Sequence, residues 1–175
     1  MVGLVVLVSV VVAAVVALTG GGADGGTVGE DWSRVAHSEP VFGGSVPQLS
    51  ANGIASGDSV LVAVGSGGDD SDADGAVWLS QDGLDWERVR TATMGGRRSQ
   101  FLNAVAAAPS GFVAVGVEFN ESVSDAGFEI NAAVWTSPDG RVWSRVANED
   151  AVFGADDDNL QFMNDVVAGG PGRAV

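Results

Sequence analysis

The segment Ala76–Val89 reads AVWLSQDGLDWERV, and residues 133–146 repeat it almost unchanged as AVWTSPDGRVWSRV. In both copies two tryptophans lie eight positions apart, with a Ser-x-Asp-Gly sequence between them. β-Branched and aromatic residues are typical of a strand, and Ser, Asp and Gly in this order are typical of a tight turn. Each copy therefore predicts a β-hairpin in which Gly83 or Gly140 takes the left-handed conformation.

The hairpin is the second half of a longer repeat. A short apolar run that ends in glycine precedes each copy, VLVAVG at 60–65 and FVAVG at 112–116, and an asparagine lies thirteen positions before that glycine. Runs that are apolar on both faces predict strands buried on both sides. The pattern thus predicts four strands per repeat, with a period of 54 residues from Trp32 to Trp86 and 57 from Trp86 to Trp143.

The Ser-x-Asp-Gly-x-x-Trp sequence resembles the Asp-box, or BNR, repeat of sialidase-type β-propellers. The usual form of that repeat is Ser-x-Asp-x-Gly-x-Thr-Trp, so this chain carries a variant with one residue fewer between Asp and Gly. The resemblance covers most of the chain after residue 30. It implies an all-β fold, a β-propeller of four-stranded antiparallel blades, in which the Asp-box turn is structural and lies away from the active site.

The ends of the repeat region set the expected number of blades. Residues 31–35, DWSRV, are a copy of the fourth strand with no first three strands before it, and Asn164 begins a third repeat that stops at Val175. Residues 31–175 therefore predict about two and a half blades. Because a propeller needs at least four blades, we expect an incomplete propeller, a fragment of a longer protein.

The N-terminal residues form a separate unit. Residues 2–18 are apolar apart from Gly3 and Ser9, and as a helix they would extend about 25 Å, near the lower limit for crossing a bilayer. No Lys or Arg precedes them, so the basic start of a standard signal peptide is missing. We expect residues 1–18 to be a hydrophobic helix that anchors the protein in the membrane, with a cleaved signal peptide as the alternative. Residues 19–30 are expected to be a glycine-rich linker to an extracytoplasmic domain.

Composition excludes several functions. The net charge is −15 and lysine is absent, so the surface repels phosphate backbones and no nucleic-acid partner is expected. Cysteine is also absent, which excludes disulfides, thiol catalysis and Cys-based metal sites. The resemblance to sialidases implies a tyrosine nucleophile for catalysis, and the sequence contains no tyrosine.

One acidic loop has the spacing of a calcium site. Asp70, Asp72 and Asp74 alternate with small residues and are followed by Gly75, which is how an oxygen-ligand calcium loop begins. The twelfth position is Gln81, so the bidentate glutamate of an EF-hand is missing. The sequence predicts calcium as a cofactor held by these three aspartates, with a solvated loop as the alternative.

Other conspicuous residues are interpreted as structural. Three adjacent carboxylates, Asp156–Asp158, point in different directions, so we interpret them as a solvated loop between repeats. A tryptophan at the same place in each repeat is expected to pack between blades, with the arginine two positions later either pairing with an acid or covering the ring of that tryptophan. These residues are Trp32, Trp86 and Trp143, followed by Arg34, Arg88 and Arg145. Arg97 and Arg98 are expected to balance nearby carboxylates.

The sequence therefore predicts a non-catalytic, extracytoplasmic β-propeller module that is tethered to the membrane and serves as a scaffold or binds a protein or carbohydrate ligand. One alternative is an enzyme, part of a sialidase-like glycoside hydrolase whose catalytic residues lie outside this chain. Another is a calcium-stabilised adhesion domain.

Overall fold

In a computed structural model, the protein is all-β, with two four-stranded antiparallel sheets. The structure describes residues 39–42, 48–68, 73–96, 98–121, 128–147, 160–169 and 173–174. The first sheet, sheet A, contains β1 (Gln48–Ser56), β2 (Leu61–Gly68), β3 (Ala73–Ser80) and β4 (Trp86–Val89). The second sheet, sheet B, contains β5 (Ser99–Ala108), β6 (Gly111–Glu121), β7 (Phe128–Ser137) and β8 (Ser144–Arg145). The remaining elements are α1 (Glu39–Phe42), a 3-10 turn (Ala92–Met94), and the short strands β9 (Ala168–Gly169) and β10 (Arg173–Ala174).

Each strand pairs with the next one along the chain, in the order β1-β2-β3-β4 and β5-β6-β7-β8. The prediction of four strands per repeat is therefore confirmed. The strand β2, which carries the VLVAVG run, is buried over all but its first and last residues, as expected for a strand covered on both faces. The φ angle is 78° at both Gly83 and Gly140, which confirms the left-handed conformation predicted for the two hairpin turns.

The first strand of each sheet contains a β-bulge at its asparagine. The pairing register shifts between Ala51 and Gly53 in β1 and at the matching place in β5, so Asn52 and Asn103 are the extra residues. Gly65 and Gly116 lie opposite the bulges, and a Cβ on either would lie 1.8 or 1.9 Å from a carbonyl oxygen of the first strand. Only glycine therefore fits at the end of each apolar run.

The two sheets pack face to face around one core. β5 lies against β1, β2 and β3, and the first strands approach so closely that a Cβ on Gly53 would lie 2.9 Å from the Ala104 Cα. On β7 and in the turn that follows it, the large side chains Trp135 and Trp143 belong to this core. The core residues are Val62, Val64, Val77 and Leu79 of sheet A, Met94 of the 3-10 turn, and Leu102, Val105, Phe112, Ala114, Ala133, Trp135 and Trp143.

The asparagines in the bulges connect each repeat to the next. Asn52 Nδ2 donates a hydrogen bond to the carbonyl oxygen of Leu102, at 2.9 Å. Asn103 Nδ2 donates in the same way to Met163, at 2.8 Å. Leu102 and Met163 each precede the asparagine of the following repeat, Asn103 and Asn164. The same bond therefore joins the first repeat to the second and the second to the start of the third.

The segments that lead into the two sheets also occupy matching places. Trp78 Nε1 donates to the carbonyl oxygen of Val41 in α1, at 2.7 Å, and its ring stacks on Phe42. Trp135 Nε1 donates to the carbonyl oxygen of Thr93 in the 3-10 turn, at 3.0 Å. In each repeat, the tryptophan of the third strand therefore fixes the segment that enters its own sheet.

Candidate functional site

Because each strand is antiparallel to the next, the connections between strands lie alternately at the two opposite ends of the sheets. The β1–β2 and β3–β4 turns, with their counterparts in sheet B, lie at one end, which we call the turn end. The β2–β3, β4–β5 and β6–β7 connections lie at the other end, which we call the loop end. Loops held by a rigid scaffold carry most binding sites, so the loop end is the candidate location for one.

The β3–β4 turn is held by side-chain acceptors and a ring donor. The backbone N–H of Gly83 donates to Ser80 Oγ at 2.8 Å. The N–H groups two and three residues after Asp82 both donate to its Oδ1, at 2.9 and 2.8 Å. The indole N–H of Trp86 closes the turn by donating to the carbonyl oxygen of Gly83, at 3.0 Å.

The β7–β8 turn repeats this arrangement. Gly140 N–H donates to Ser137 Oγ at 2.8 Å, and Trp143 Nε1 donates to the carbonyl oxygen of Gly140 at 2.7 Å. Asp139 Oδ1 accepts from the N–H groups two and three residues later, at 2.8 and 2.9 Å. Every residue common to the two Ser-x-Asp-Gly-x-x-Trp sequences thus has a bond within its own turn, which makes the motif structural.

The hydrogen bonds to the turn aspartates lower the pKa of both side chains. For Asp82 the largest cause is the backbone N–H of Asp85, followed by that of Leu84, and burial opposes the shift. The same bonds lower the pKa of Asp139. Since the ionised form is the better acceptor, these carboxylates contribute stability above the unfolded-state pKa of about 4. That stability is lost as the pH falls through the lower pKa of the folded state.

We therefore expect the Asp82→Asn, Asp139→Asn double variant to melt at a lower temperature than the native chain at neutral pH. Acidification removes the same interactions from the native chain, so the difference between the two melting temperatures should shrink below about pH 4. Circular dichroism melts across this pH range measure both effects. Asp85→Asn is the control, because it removes one charge from the same turn and keeps the Asp82 acceptor. If the difference between the two melting temperatures is the same at every pH, the ionised aspartates do not stabilise the turns.

A partly buried polar cluster lies at the loop end of sheet B, around Glu118 on β6. Gln100 is 5% exposed and its Nε2 donates to Glu118 Oε1 at 3.2 Å. Arg145 Nη2 donates to Glu118 Oε2 at 3.5 Å, and Arg98 Nη1 lies 3.8 Å from the same oxygen. We call Arg98, Gln100, Glu118 and Arg145 the Glu118 cluster. The prediction that Arg98 balances a nearby carboxylate is confirmed.

Arg145 pairs with an acid, as predicted, but the ring that it covers is Trp135 and not the neighbouring Trp143. Its guanidinium pairs with Glu118 and lies over the Trp135 ring, 5.1 Å from the centroid. Burial lowers the pKa of Arg145 and the charge of Glu118 partly offsets this. The cation is therefore held by a carboxylate and a ring in a partly buried site.

Sheet A has a different acid near its equivalent arginine. Burial, and secondly the charge of Arg90, lower the pKa of Arg88, whereas the charge of Asp74 raises it. Asp74 lies on β3, with a carboxylate oxygen 3.2 Å from where a Cβ on Gly95 would lie. The acid that acts on the arginine is thus on the third strand in sheet A and on the second strand, as Glu118, in sheet B.

The predicted calcium ligands are only partly within the described residues. Asp70 and Asp72 lie outside them, and Asp74 is in β3. In the part of the chain that the structure describes, no group of three or more His, Asp or Glu side chains is arranged to hold a metal ion. The calcium loop stays a prediction.

Several other predictions concern residues outside the described ranges. These are the membrane anchor at 1–18, the linker at 19–30, the fourth-strand copy at 31–35 with Trp32 and Arg34, Arg97, and the acidic run Asp156–Asp158. Among the residues that are described, no helix has the length and apolar character needed to span a bilayer.

Sequence reasoning missed the Glu118 cluster and the role of the bulge asparagines. A signal for Gln100 and for the bulge asparagines is present in the repeat: QFLN at 100–103 returns as QFMN at 161–164. The glutamine of this motif begins the polar cluster, and the asparagine makes the bond to the next repeat. Glu118 has no such signal, because the residue at its place in the first repeat is Gly67.

No protein-family model, curated protein or solved structure matches this chain. The resemblance to Asp-box propellers therefore depends on the repeat residues themselves.

Proposed function

We propose that this protein is an Asp-box type β-propeller module that binds a protein or carbohydrate ligand, or acts as a scaffold, without catalysing a reaction. It works outside the cytoplasm and is attached to the membrane by residues 1–18. The observation that carries the proposal is the bond from each bulge asparagine to the next repeat, Asn52 to Leu102 and Asn103 to Met163. Repeats joined in one fixed manner build a regular rigid scaffold.

The packing of the two sheets supports the propeller arrangement. The sheets approach closely at their first strands, where Gly53 contacts Ala104, whereas the large side chains Trp135 and Trp143 lie in the core from the third strand of sheet B and the turn after it. Sheets that are closest along one side form a wedge, and wedges of this kind surround a common axis in a propeller. The bond from Asn103 to Met163 supports the same packing of the next repeat against sheet B, because the third repeat begins at Asn164.

The polar groups with the clearest interactions support a non-catalytic role. The carboxylates of Asp82 and Asp139 are held by backbone N–H groups of their own turns. Glu118 accepts from Gln100 and pairs with Arg145. A general acid or nucleophile has to reach substrate, and these groups are instead engaged within the protein.

The competing function is glycoside hydrolysis, and one experiment separates it from binding. Because this alternative places the catalytic residues outside the chain, the complete protein that contains it is incubated with a panel of oligosaccharides, including sialosides. Circular dichroism follows its melting temperature, and mass spectrometry follows the products. We expect a bound oligosaccharide to raise the melting temperature by mass action and to remain intact. Cleavage of any oligosaccharide, absent from a heat-denatured control, would contradict the non-catalytic proposal.

Calcium stabilisation is a separate prediction. If Asp70, Asp72 and Asp74 hold calcium, adding the ion to the full chain should raise the melting temperature, because the ion binds the folded state preferentially. EDTA should reverse the shift, and the Asp70→Asn, Asp72→Asn double variant should abolish it. The matched control is Asp156→Asn, Asp157→Asn, which removes the same charge from the second acidic run. An equal shift in both variants would assign the effect to general screening of the negative charge.

A further inference from the structure

Asn52 is the one asparagine in the sequence that precedes a glycine. Because glycine has no Cβ, the Asn52 side-chain amide can approach the Gly53 backbone nitrogen without a steric clash. Glycine also allows backbone conformations that bring the amide and this nitrogen together. We propose that Asn52 is a site of spontaneous deamidation, at which the contact between the two sheets controls the rate.

The reaction needs water alone as co-reactant. The backbone nitrogen of Gly53 attacks Cγ of Asn52, a new N–C bond forms, the C–Nδ2 bond breaks and ammonia leaves with the amide proton. The product is a five-membered succinimide. Water then opens either carbonyl of this ring and gives aspartate or isoaspartate, with no change of oxidation state.

The fold opposes the first step. Asn52 Nδ2 donates to the Leu102 carbonyl oxygen at 2.9 Å, so the amide is directed at sheet B and away from the Gly53 nitrogen. Gly53 is paired with Val64 in the β1–β2 ladder and packs against the backbone of Ala104. These contacts keep the Gly53 nitrogen from reaching Cγ of Asn52 and closing the succinimide ring. Ring closure therefore requires β1 to separate from β5.

Deamidation would then prevent the contact from forming again. An aspartate at position 52 has lost the donor and presents a carboxylate to the Leu102 carbonyl oxygen, so attraction becomes repulsion. Isoaspartate also adds a backbone atom to a strand that has no spare room at Gly53. Deamidation of Asn52 thus weakens the contact between β1 and β5, which joins the first repeat to the second.

The chain contains its own matched control. Asn103 lies at the same place in the bulge of β5 and makes the equivalent bond to Met163, at 2.8 Å. The residue that follows it is Ala104. The two asparagines share fold and bonding and differ in the residue that supplies the attacking nitrogen.

The test is peptide mapping by mass spectrometry of the full chain, aged in mildly alkaline buffer with and without denaturing urea. In urea, Asn52 should deamidate several-fold faster than Asn103. In native buffer, the Asn52 rate should fall at least about tenfold below its rate in urea, which corresponds to an opening free energy of about 1.4 kcal/mol. Equal rates at Asn52 and Asn103 in urea would overturn the proposal, and so would an Asn52 rate that folding does not change.

A second measurement addresses the consequence. The Asn52→Asp variant imitates the main change in the product, and it should unfold at lower urea concentration than both the native chain and Asn52→Ala, which only removes the bond. An Asn52→Asp variant as stable as Asn52→Ala would show that deamidation does not repel sheet B, and would overturn this part of the proposal.

Discussion

Replacing Gly116 by alanine is expected to lower the free energy of unfolding by roughly 3 kcal/mol or more, the upper range for overpacking a buried site. The new Cβ would lie 1.9 Å from the carbonyl oxygen of Phe101 and 2.9 Å from the Leu102 Cα. Both are backbone atoms of β5, held in place by the β5–β6 ladder and by the bulge. Relief of the clash therefore requires the strands to separate where β5 also packs on sheet A.

Urea unfolding followed by circular dichroism measures this loss. Gly95→Ala is the matched control, because Gly95 is in extended backbone at φ −155° and its closest neighbour is the side chain of Asp74, 3.2 Å from the new Cβ. This contact is with the end of a side chain rather than with backbone, and it is longer, so we expect a smaller change of roughly 1 kcal/mol. Gly65→Ala should repeat the large loss in sheet A. A Gly116 variant that unfolds at the same urea concentration as Gly95→Ala would contradict the assigned register.

The turns were predictable from the sequence, whereas the reason for the buried glycines was not. Gly83 and Gly140 follow Ser-x-Asp, and the conformation of such a turn depends on residues that are adjacent in sequence. The sequence showed Gly65 and Gly116 only as the ends of apolar runs. Their requirement for glycine comes from bulges in another strand, and a bulge depends on pairing between distant residues.

The two arginine sites show the same limit. Arg88 and Arg145 recur at one position of the repeat, so a charged or aromatic partner could be expected for each. The acid that acts on Arg88 is on β3, whereas the acid that pairs with Arg145 is on β6. Because the partner changes strand, comparison of the two repeats could not find Glu118.

Burial of the tryptophans depends on what lies beyond each sheet. Trp86 and Trp143 were both predicted to pack between blades, and Trp143 lies in the core between the two sheets, at 2% exposed. Trp86 is only partly buried, and it packs on the other face of sheet A, around Trp78. The position in the repeat is the same, but only Trp143 has a second sheet against it among the described residues.

Trp135→Ala is expected to lower the free energy of unfolding by about 3–5 kcal/mol, as for other fully buried large aromatic side chains. Trp135 is 0% exposed and belongs to the core between the sheets. Its indole N–H also fixes the 3-10 turn through Thr93, and its ring lies under Arg145. One substitution therefore removes core volume, a hydrogen bond and the ring that lies against a partly buried cation.

Trp135→Phe separates the contribution of core packing from that of the hydrogen bond, and Thr136→Ala is the control. Trp135→Phe keeps an aromatic ring and removes the N–H donor, so it should retain part of the core packing and lose at least the hydrogen bond, worth about 1 kcal/mol. Thr136→Ala is the control from the same strand, because Thr136 is exposed on the opposite face of β7. Urea unfolding by far-ultraviolet circular dichroism avoids dependence on tryptophan fluorescence. If Trp135→Ala and Thr136→Ala unfold at the same urea concentration, the sheets do not meet at Trp135, and the wedge packing that supports the propeller proposal is wrong.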